Sequence, residues 1–484
     1  MGPDIVWLRD DFRLDDQPAI AAAADRPALF VYVHDERPEN GRPPGGAARW
    51  RLAKALDAMQ ASLAARGARL DILHGEADGA VLALAAAAEA GRVFWTRRYQ
   101  GPGMALDASV KTALRERGVE AKSFNGRLMR EPWDMATANG RPPAVFSAFW
   151  RRHQGAGALP APLPAPAKLK SARWPAGAPK RVEVETLRLT PTKPDWSGEL
   201  ALGETPGEGG AQSALARFIA DTLPRYAEAR DLASDDATSR LSAHLRFGEI
   251  SVRRAAAAVQ SAALDDPRLQ GAADKYLSEL GWRDFAAALL HAHPDMAARP
   301  LREDFARFPY RKDAAALRAW TRGETGYPIV DAGMRQLWRT GYMHNRVRLI
   351  VASFLVKHLL IDWRRGEDWF WDTLCDADPA SNPMNWQWSA GCGADAAPWF
   401  RIFNPLLQSE KFDPDGAYVR RWVPELAALP APHVHAPWSA PDAVLAKAGV
   451  TIGRTYPKPI VDHAKARARA LAAFATMRGA EPDA

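Results

Sequence analysis

Apolar residues gather in five short runs within the first 125 positions: DIVWLR (4–9), ALFVYVH (28–34), RLDILHG (69–75), RVFWTRRY (92–99) and GVEAKSF (118–124). Short runs rich in β-branched and aromatic residues read as strands. Between them, near 17–25, 47–65, 77–90 and 104–117, lie Ala-rich amphipathic stretches that predict helices. Strand alternating with helix predicts an α/β domain: a doubly wound, five-stranded parallel sheet covered on both faces. Ligands of such sheets sit at the carboxyl ends of the strands. No Gly-x-Gly-x-x-Gly follows the first strand, so a dinucleotide fingerprint is absent there.

From about 155 to 210 the pattern dissolves into GALPAPLPAPAKLK, WPAGAPK and GETPGEGG, a connector without periodicity that can wrap one domain onto another. From 211 the period becomes helical, in QSALARFIADTLPRYAEAR, SVRRAAAAVQSAAL, GAADKYLSELGWRDFAAALLHAH and NRVRLIVASFLVKHLLIDW. The predicted organisation is an α/β domain over 1–130, a connector over 131–210 and an all-α domain over 211–484. ASNPMNWQWSAGCGADAAPWFRIFNP (380–405) fits neither period. A strand would alternate more cleanly, and a helix would avoid so many Asn, Pro and Gly. It reads as an aromatic-rich loop, either core or a floor for something flat.

A chain of 484 residues is too long for one ordinary core, so two domains are expected. Its formal charge of +7 permits a phosphate-backbone partner without demanding one. The 18 Trp offer area for cores or flat ligands. Two cysteines, Cys375 and Cys392, argue against a disulfide scaffold and against cysteine-bound metal. The chain enters its first strand with no basic-then-apolar leader and has no apolar run of bilayer length; a cytoplasmic location is expected.

Several constellations bear chemistry. Thr238, Ser239 and Ser242 precede a helical pattern; their hydroxyls can cap a helix or, with its amides, hold a phosphate. Glu279, Trp282 and Arg283 share a helix face, where Glu279 can pair with Arg283 or act inside an aromatic pocket. His344, Asn345, Arg346 and Arg348 open an apolar helix. Asp376 with Asp378, His291 with His293 and His433 with His435 lack a third ligand at metal spacing, so no metal is expected.

Taken in order, VWLRDDFRLDDQPAI, TSRLS, ELGWRDF, TGYPIVDAGMRQL, GYMHNRVR, LLIDWRRGE, DADPASNPMNWQW and DAAPWFRIFNP closely resemble the photolyase/cryptochrome family over the whole chain. The likeness is strongest to class I cyclobutane pyrimidine dimer photolyases. It implies a helical domain that holds FAD, active when reduced, and a light-driven repair enzyme acting on UV-damaged DNA as a monomer, with no obligate protein partner. By the resemblance, Tyr226 and Thr238, Ser239, Arg240, Leu241 and Ser242 surround the FAD diphosphate. Arg283 approaches the cofactor, Arg348 pairs with Asp376 at the flavin edge, and Asp378 bonds polar flavin or ribose groups. Asn382 takes the place beside flavin N5. Plant-type cryptochromes tend to have Asp there, so Asn favours repair over signalling. Glu279, Trp282, Asn345, Leu349 and Trp388 form the lesion pocket, with Arg230 as a phosphate contact. Trp386 and Trp363 match two members of an electron-transfer chain whose surface member, usually Trp, is here Tyr310. That change predicts slower or rerouted photoreduction, with Trp320 or Trp371 as substitutes. Leu349 stands where many dimer-repairing relatives have Met. The single His344, with no second His nearby, argues against (6-4) repair. Arg49, Asp107 and Arg246 fall where an antenna pigment could sit: folate, deazaflavin, a second flavin or none. The rival is a blue-light photoreceptor, a cryptochrome. Such proteins often carry a long C-terminal extension, and the short acidic end here favours the enzyme.

Overall fold

The computed structural model describes residues 2–37, 42–202, 205–395 and 400–479. Part of DAAPWF, at 396–399, lies outside them. The five predicted strands form: β1 (Asp4–Leu8), β2 (Ala28–His34), β3 (Leu70–His74), β4 (Arg92–Thr96) and β5 (Glu120–Phe124). They alternate with α1 (Pro18–Ala23), α2 (Gly46–Ala64), α3 (Ala77–Ala87) and α4 (Gly101–Glu116). All pairings are parallel, in the order β3-β2-β1-β4-β5. Every residue of β1 and β2 is buried because helices cover both faces. Two apolar cores follow from strand alternation. Val6, Phe30 and Phe94 face one side; Ile5, Val31 and Trp95 face the other.

Contacts group the chain into two compact units, Met1–Pro224 with Ser239–Pro294 and Cys375–Ala380, and Arg225–Thr238 with Asp295–Leu374 and Ser381–Ala484. The first therefore takes in the connector. That segment is not bare: it holds helix α5 (Phe146–Gly155), and Ser171 and Val182 bridge to Ala28 and Ile72 on the sheet. Leu169, Val184, Leu187 and Leu189 enter the sheet's core, which is how a Pro-rich stretch without periodicity becomes ordered. The first unit continues through α6 (Glu208–Arg217), then α8 (Ser242–Arg246), α9 (Val252–Asp265) and α10 (Gln270–Ala292); the short α7 (Tyr226–Ala229) lies in the second. The second unit holds α11 (Ala314–Arg322), α12 (Pro328–Thr340), α13 (Asn345–Ser353), α14 (Trp363–Thr373) and α15 (Ser381–Ala390), with further helices through His463–Met477. No described helix is long and apolar enough to cross a membrane.

Helix α15, SNPMNWQWSA, corrects the loop expected over 380–405. Pro383 sits in the first turn, where a backbone N–H has no intrahelical partner to lose. Gly391, at φ +89°, ends the helix in a conformation that side chains resist. The Asn, Pro and Gly of the sequence thus mark the two ends of a helix.

Candidate functional site

In the first unit, α10 presents Glu279, Trp282 and Arg283. Glu279 pairs with Lys275, at 3.2 Å. Arg283 Nη2 donates to the Leu245 carbonyl at 3.3 Å, while its buried Nη1 has no hydrogen-bond partner among the described residues. Burial lowers the Arg283 pKa, opposed by Asp378 and Asp284. Trp282 lies flat on Phe146, with centroids 3.8 Å apart at 11°, so one indole face is already taken and only the other can receive a base. No side chain caps α8, whose N-cap is Leu241, so the hydroxyl caps expected there do not form. Ser239 instead accepts from the Leu241 N–H at 3.4 Å and meets the buried Tyr276, whose phenol burial pushes up to about 12. Arg240 holds φ +55°, a left-handed conformation that non-glycine residues enter at a cost. Ser242 is exposed, and Asp376 and Asp378 are half-buried. Asp378 Oδ1 accepts the Ala380 N–H at 2.9 Å.

The three antenna candidates also lie in this unit. The strand order reverses between β1 and β4, which opens a crevice at their carboxyl ends. There Arg9 and Arg98 each reach Asp107 at 2.6 Å. Burial would raise the Asp107 pKa, but the two guanidiniums bring it below the ordinary carboxylate value. Arg246 is held by Asp10 at 2.6 Å and by the Ala377 carbonyl at 2.8 Å. Arg49 is exposed on α2. Asp107 and Arg246 thus stand in separate ion-pair networks.

In the second unit, Tyr226 is buried with the Arg230 guanidinium 5.2 Å from its ring centre. Thr238 Oγ1 is buried with no hydrogen-bond partner among the described residues. Helix α13 begins at Asn345 because the His344 imidazole accepts the Arg346 N–H at 3.2 Å, leaving Asn345 exposed. Arg348 Nε donates to the Met343 carbonyl at 2.7 Å. Leu349 and Trp388 share the wall of a small cavity of about 20 Å³, with Lys357 behind them. Trp388 Nε1 donates to the Asp395 carbonyl at 3.0 Å.

Asn382 has the best-defined geometry of the site. Its Nδ2 donates to the Glu367 carbonyl at 3.1 Å and to Glu367 Oε1 at 2.8 Å. Both partners are acceptors, so the amide nitrogen must face them and the orientation of the side chain is set. Its carbonyl, Oδ1, is then the group left to meet a ligand. Trp386 is buried against Phe370, 5.0 Å away edge-on, and Trp320, 6.1 Å away edge-on. Gly366 admits it, since a Cβ there would stand 2.1 Å from the indole. Trp363 and Trp320 are fully buried and Trp371 nearly so. Tyr310 is half-buried beside Phe308 at 4.8 Å, and burial pushes its phenol well above the ordinary value.

Each unit by itself offers polar atoms of the kind a FAD meets. In the first, Arg283 Nη1 is a buried donor awaiting an acceptor; in the second, Thr238 Oγ1 is a buried donor awaiting an acceptor and Asn382 Oδ1 an acceptor awaiting a donor. Phosphate oxygens and an isoalloxazine N–H supply these. No described group of three His, Cys, Asp or Glu could hold a metal. The sequence reading missed Phe146, Glu367, Tyr276 and Lys357. Glu367 lies 15 positions from Asn382 on another helix, and nothing in the RRGEDW stretch marks it as a partner.

Residues 4–167 match the family model described as DNA photolyase, and residues 276–476 match the FAD binding domain of DNA photolyase. A deoxyribodipyrimidine photo-lyase of Agrobacterium fabrum is 48% identical, covering 98% of each chain. Cryptochrome-1 of Arabidopsis thaliana is 37% identical, over 98% of this chain and 70% of its own. A bacterial class III photolyase of Agrobacterium tumefaciens superposes with a TM-score of 0.93 at 46% identity, over 99% of this chain and 98% of that one. The sequence reading had pointed to class I.

Proposed function

This chain belongs to the photolyase/cryptochrome family, and from that premise we propose that it repairs cyclobutane pyrimidine dimers in DNA under blue light. The observation that carries the reading is the orientation of Asn382. With both amide protons committed to Glu367, the side chain offers only a neutral carbonyl, which accepts from an N–H and adds no negative charge. That suits the reduced form of a flavin, whose N5 bears hydrogen. When bound, reduced FAD supplies the electron that splits the dimer.

The chain's own residues do the rest. Trp282, backed by Phe146, and Trp388, held by its bond to the Asp395 carbonyl, are rigid indoles on which a flipped pyrimidine pair can stack. Photolyases are among the enzymes that extrude their target from the duplex. Glu279 and the exposed Asn345 supply hydrogen bonds to the pyrimidine edges, and Arg230 a phosphate contact. Arg283, Tyr226, Arg348, Asp376, Asp378 and the Thr238–Ser242 segment hold the cofactor. Leu349 replaces a Met-sized side chain with one of similar volume, so dimer binding is retained.

The test is light-dependent repair of an oligonucleotide holding one cyclobutane thymine dimer, with reduced protein, a dark control and a parallel (6-4) substrate. Recovery of thymine absorbance on the dimer, only in light, supports the proposal. No recovery on either substrate, with FAD bound and photoreducible, replaces it with the sensory reading.

A further inference from the structure

Residues Cys375–Ala380 lie between α14 and α15 in sequence, yet they pack with the first unit. Two contacts hold them there. The Cys375 side chain is buried with Ala47, Trp50, Leu200 and Ala243. Two residues on, the Ala377 carbonyl accepts Arg246 Nε at 2.8 Å. Ala377 is 1% exposed, so water does not compete for that carbonyl. Its neighbours in the chain are Asp376 and Asp378, the acids that the proposed function gives to the cofactor. Asp378 Oδ1 accepts the Ala380 N–H at 2.9 Å, a turn that ties its side chain to the local backbone. Fixing the Ala377 carbonyl therefore fixes the backbone from which both carboxylates project.

Arg246 is in turn held by Asp10. Its Nη1 meets Asp10 Oδ2 at 2.6 Å while Nε stays on Ala377. Arg127 Nη1 shares the same oxygen at 3.2 Å, and Arg127 Nη2 donates to the Arg246 carbonyl at 3.4 Å. One carboxylate thus stands between two largely buried guanidiniums. Burial works to raise the Asp10 pKa, but the two cations bring it below the ordinary carboxylate value, so Asp10 stays charged. Its backbone is built in as well. The Phe12 N–H donates to the Phe247 carbonyl at 3.2 Å, and a Cβ on Gly248 would fall 2.3 Å from the Asp10 carbonyl oxygen. Asp10 itself holds φ +49°, a left-handed conformation that side chains enter at a cost. The end of α8 serves the cofactor residues twice, because its Leu245 carbonyl takes Arg283 Nη2.

From this we infer that Asp10 is a positioning residue for the cofactor: through Arg246 it holds the loop that carries Asp376 and Asp378. The inference rests on the assignment of those two acids to FAD. A guanidinium can serve both contacts because its nitrogens form a rigid fork, with Nε on the carbonyl and Nη1 on the carboxylate. Without the Asp10 charge, Arg127 and Arg246 lose the anion between them and repel. Arg246 is then no longer held in the conformation that reaches Ala377, and the acids lose their fixed support.

The FAD-loaded protein is diluted in the dark, released flavin is followed by its fluorescence, and the visible bands of the bound flavin are recorded. Asp10→Asn should release FAD about tenfold faster, as expected for loss of a hydrogen bond to a charged group, and should alter those bands. Asp10→Glu, which keeps the charge, should return release to within about twofold of the parent. Arg246→Lys separates the two contacts: a single ammonium on Asp10 gives up the Ala377 carbonyl, and release should again rise about tenfold. Arg254→Gln breaks a different pair of the first unit, Arg254 with Asp15 at 2.6 Å, and should leave release as in the parent. Unchanged release in Asp10→Asn and Arg246→Lys overturns the inference. So does an equal rise in Arg254→Gln, which would make the effect one of general loosening. Asp376→Asn and Asp378→Asn run in parallel. If neither speeds release, the assignment of the acids fails and takes the inference with it; if they do and Asp10→Asn does not, the inference alone falls. A parent that holds FAD but leaves dimers intact in light sinks the repair reading alone.

Discussion

Replacing Asn382 by Asp tests the geometry on which the flavin reading turns. The Asn amide donates to Glu367 Oε1 at 2.8 Å. An ionised Asp would set two carboxylates at that distance. At an effective dielectric constant of about 20, two charges 2.8 Å apart repel by about 6 kcal/mol, which is about four pKa units. The introduced carboxyl should therefore rise from about 3.9 to about 8, the shift belonging to the pair it forms with Glu367. The sign follows from linkage. A carboxyl raised in the folded state binds more protons there, so stability is lost as pH climbs from about 4 to 8. Near pH 5 the protonated Asp still donates to Glu367 and costs about 1.5 kcal/mol, whereas near pH 8 it costs roughly 5 kcal/mol. Urea unfolding of parent, Asn382→Asp and Asn382→Ala at pH 5, 6.5 and 8, with flavin content recorded, reads this out. The Ala variant should show a constant deficit. If the Asp variant also differs from the parent by the same amount at every pH, the contact with Glu367 is not as described and the acceptor-only role of Asn382 fails with it.

Three other outcomes are expected. Lys357 is buried, with Nζ 3.6 Å from the Phe400 ring centre and 3.3 Å from the Arg401 carbonyl, and burial brings its pKa down to about 7. A lysine lowered in the folded state binds fewer protons there, so stability rises with pH between about 7 and 10.5, by at most ~5 kcal/mol. Lys357→Met should flatten that slope in denaturant titrations at pH 7 and 9.5; an unaltered slope counts against a neutral buried lysine. Tyr310→Trp should speed flavin photoreduction in flash spectroscopy, because burial raises the Tyr310 phenol and hinders the proton loss that eases its oxidation. A parent that already forms a prompt, long-lived Tyr310 radical at normal yield would contradict this. Gly366→Ala should cost about 3 kcal/mol or more, the upper end of overpacking, since its Cβ falls 2.1 Å from Trp386 and 2.6 Å from Leu355; a melting temperature like the parent's would show that the helices can part.

Four strands of the sheet were legible in the sequence because they are largely buried on both faces and so must be nearly continuous apolar runs, whereas the edge strand β5 alternates exposed and buried residues; all five appear within a residue or three of where the pattern places them. Face-sharing on α10 was legible too, since helical spacing alone puts Glu279, Trp282 and Arg283 together. The WQW stretch was misread because Pro, Asn and Gly act by position: in a first turn or just past a helix end they are compatible with a helix that their count argues against. The connector shows no period for a related reason, as its order comes from docking Leu169 and Leu187 onto a sheet.

Motif and local periodicity determined the family, the doubly wound sheet, the helical second half and the identity of the residues that carry polar and aromatic chemistry. Tertiary structure alone decided which of their atoms are already engaged. Glu367 takes both amide protons of Asn382, Phe146 takes one face of Trp282, and Arg9 with Arg98 takes the Asp107 carboxylate. Each partner lies 15 or more positions away, apart from Arg98 in the turn before α4. The physical reason is that hydrogen-bond and stacking capacity is consumed pairwise in space, while sequence patterns report only neighbours along the chain.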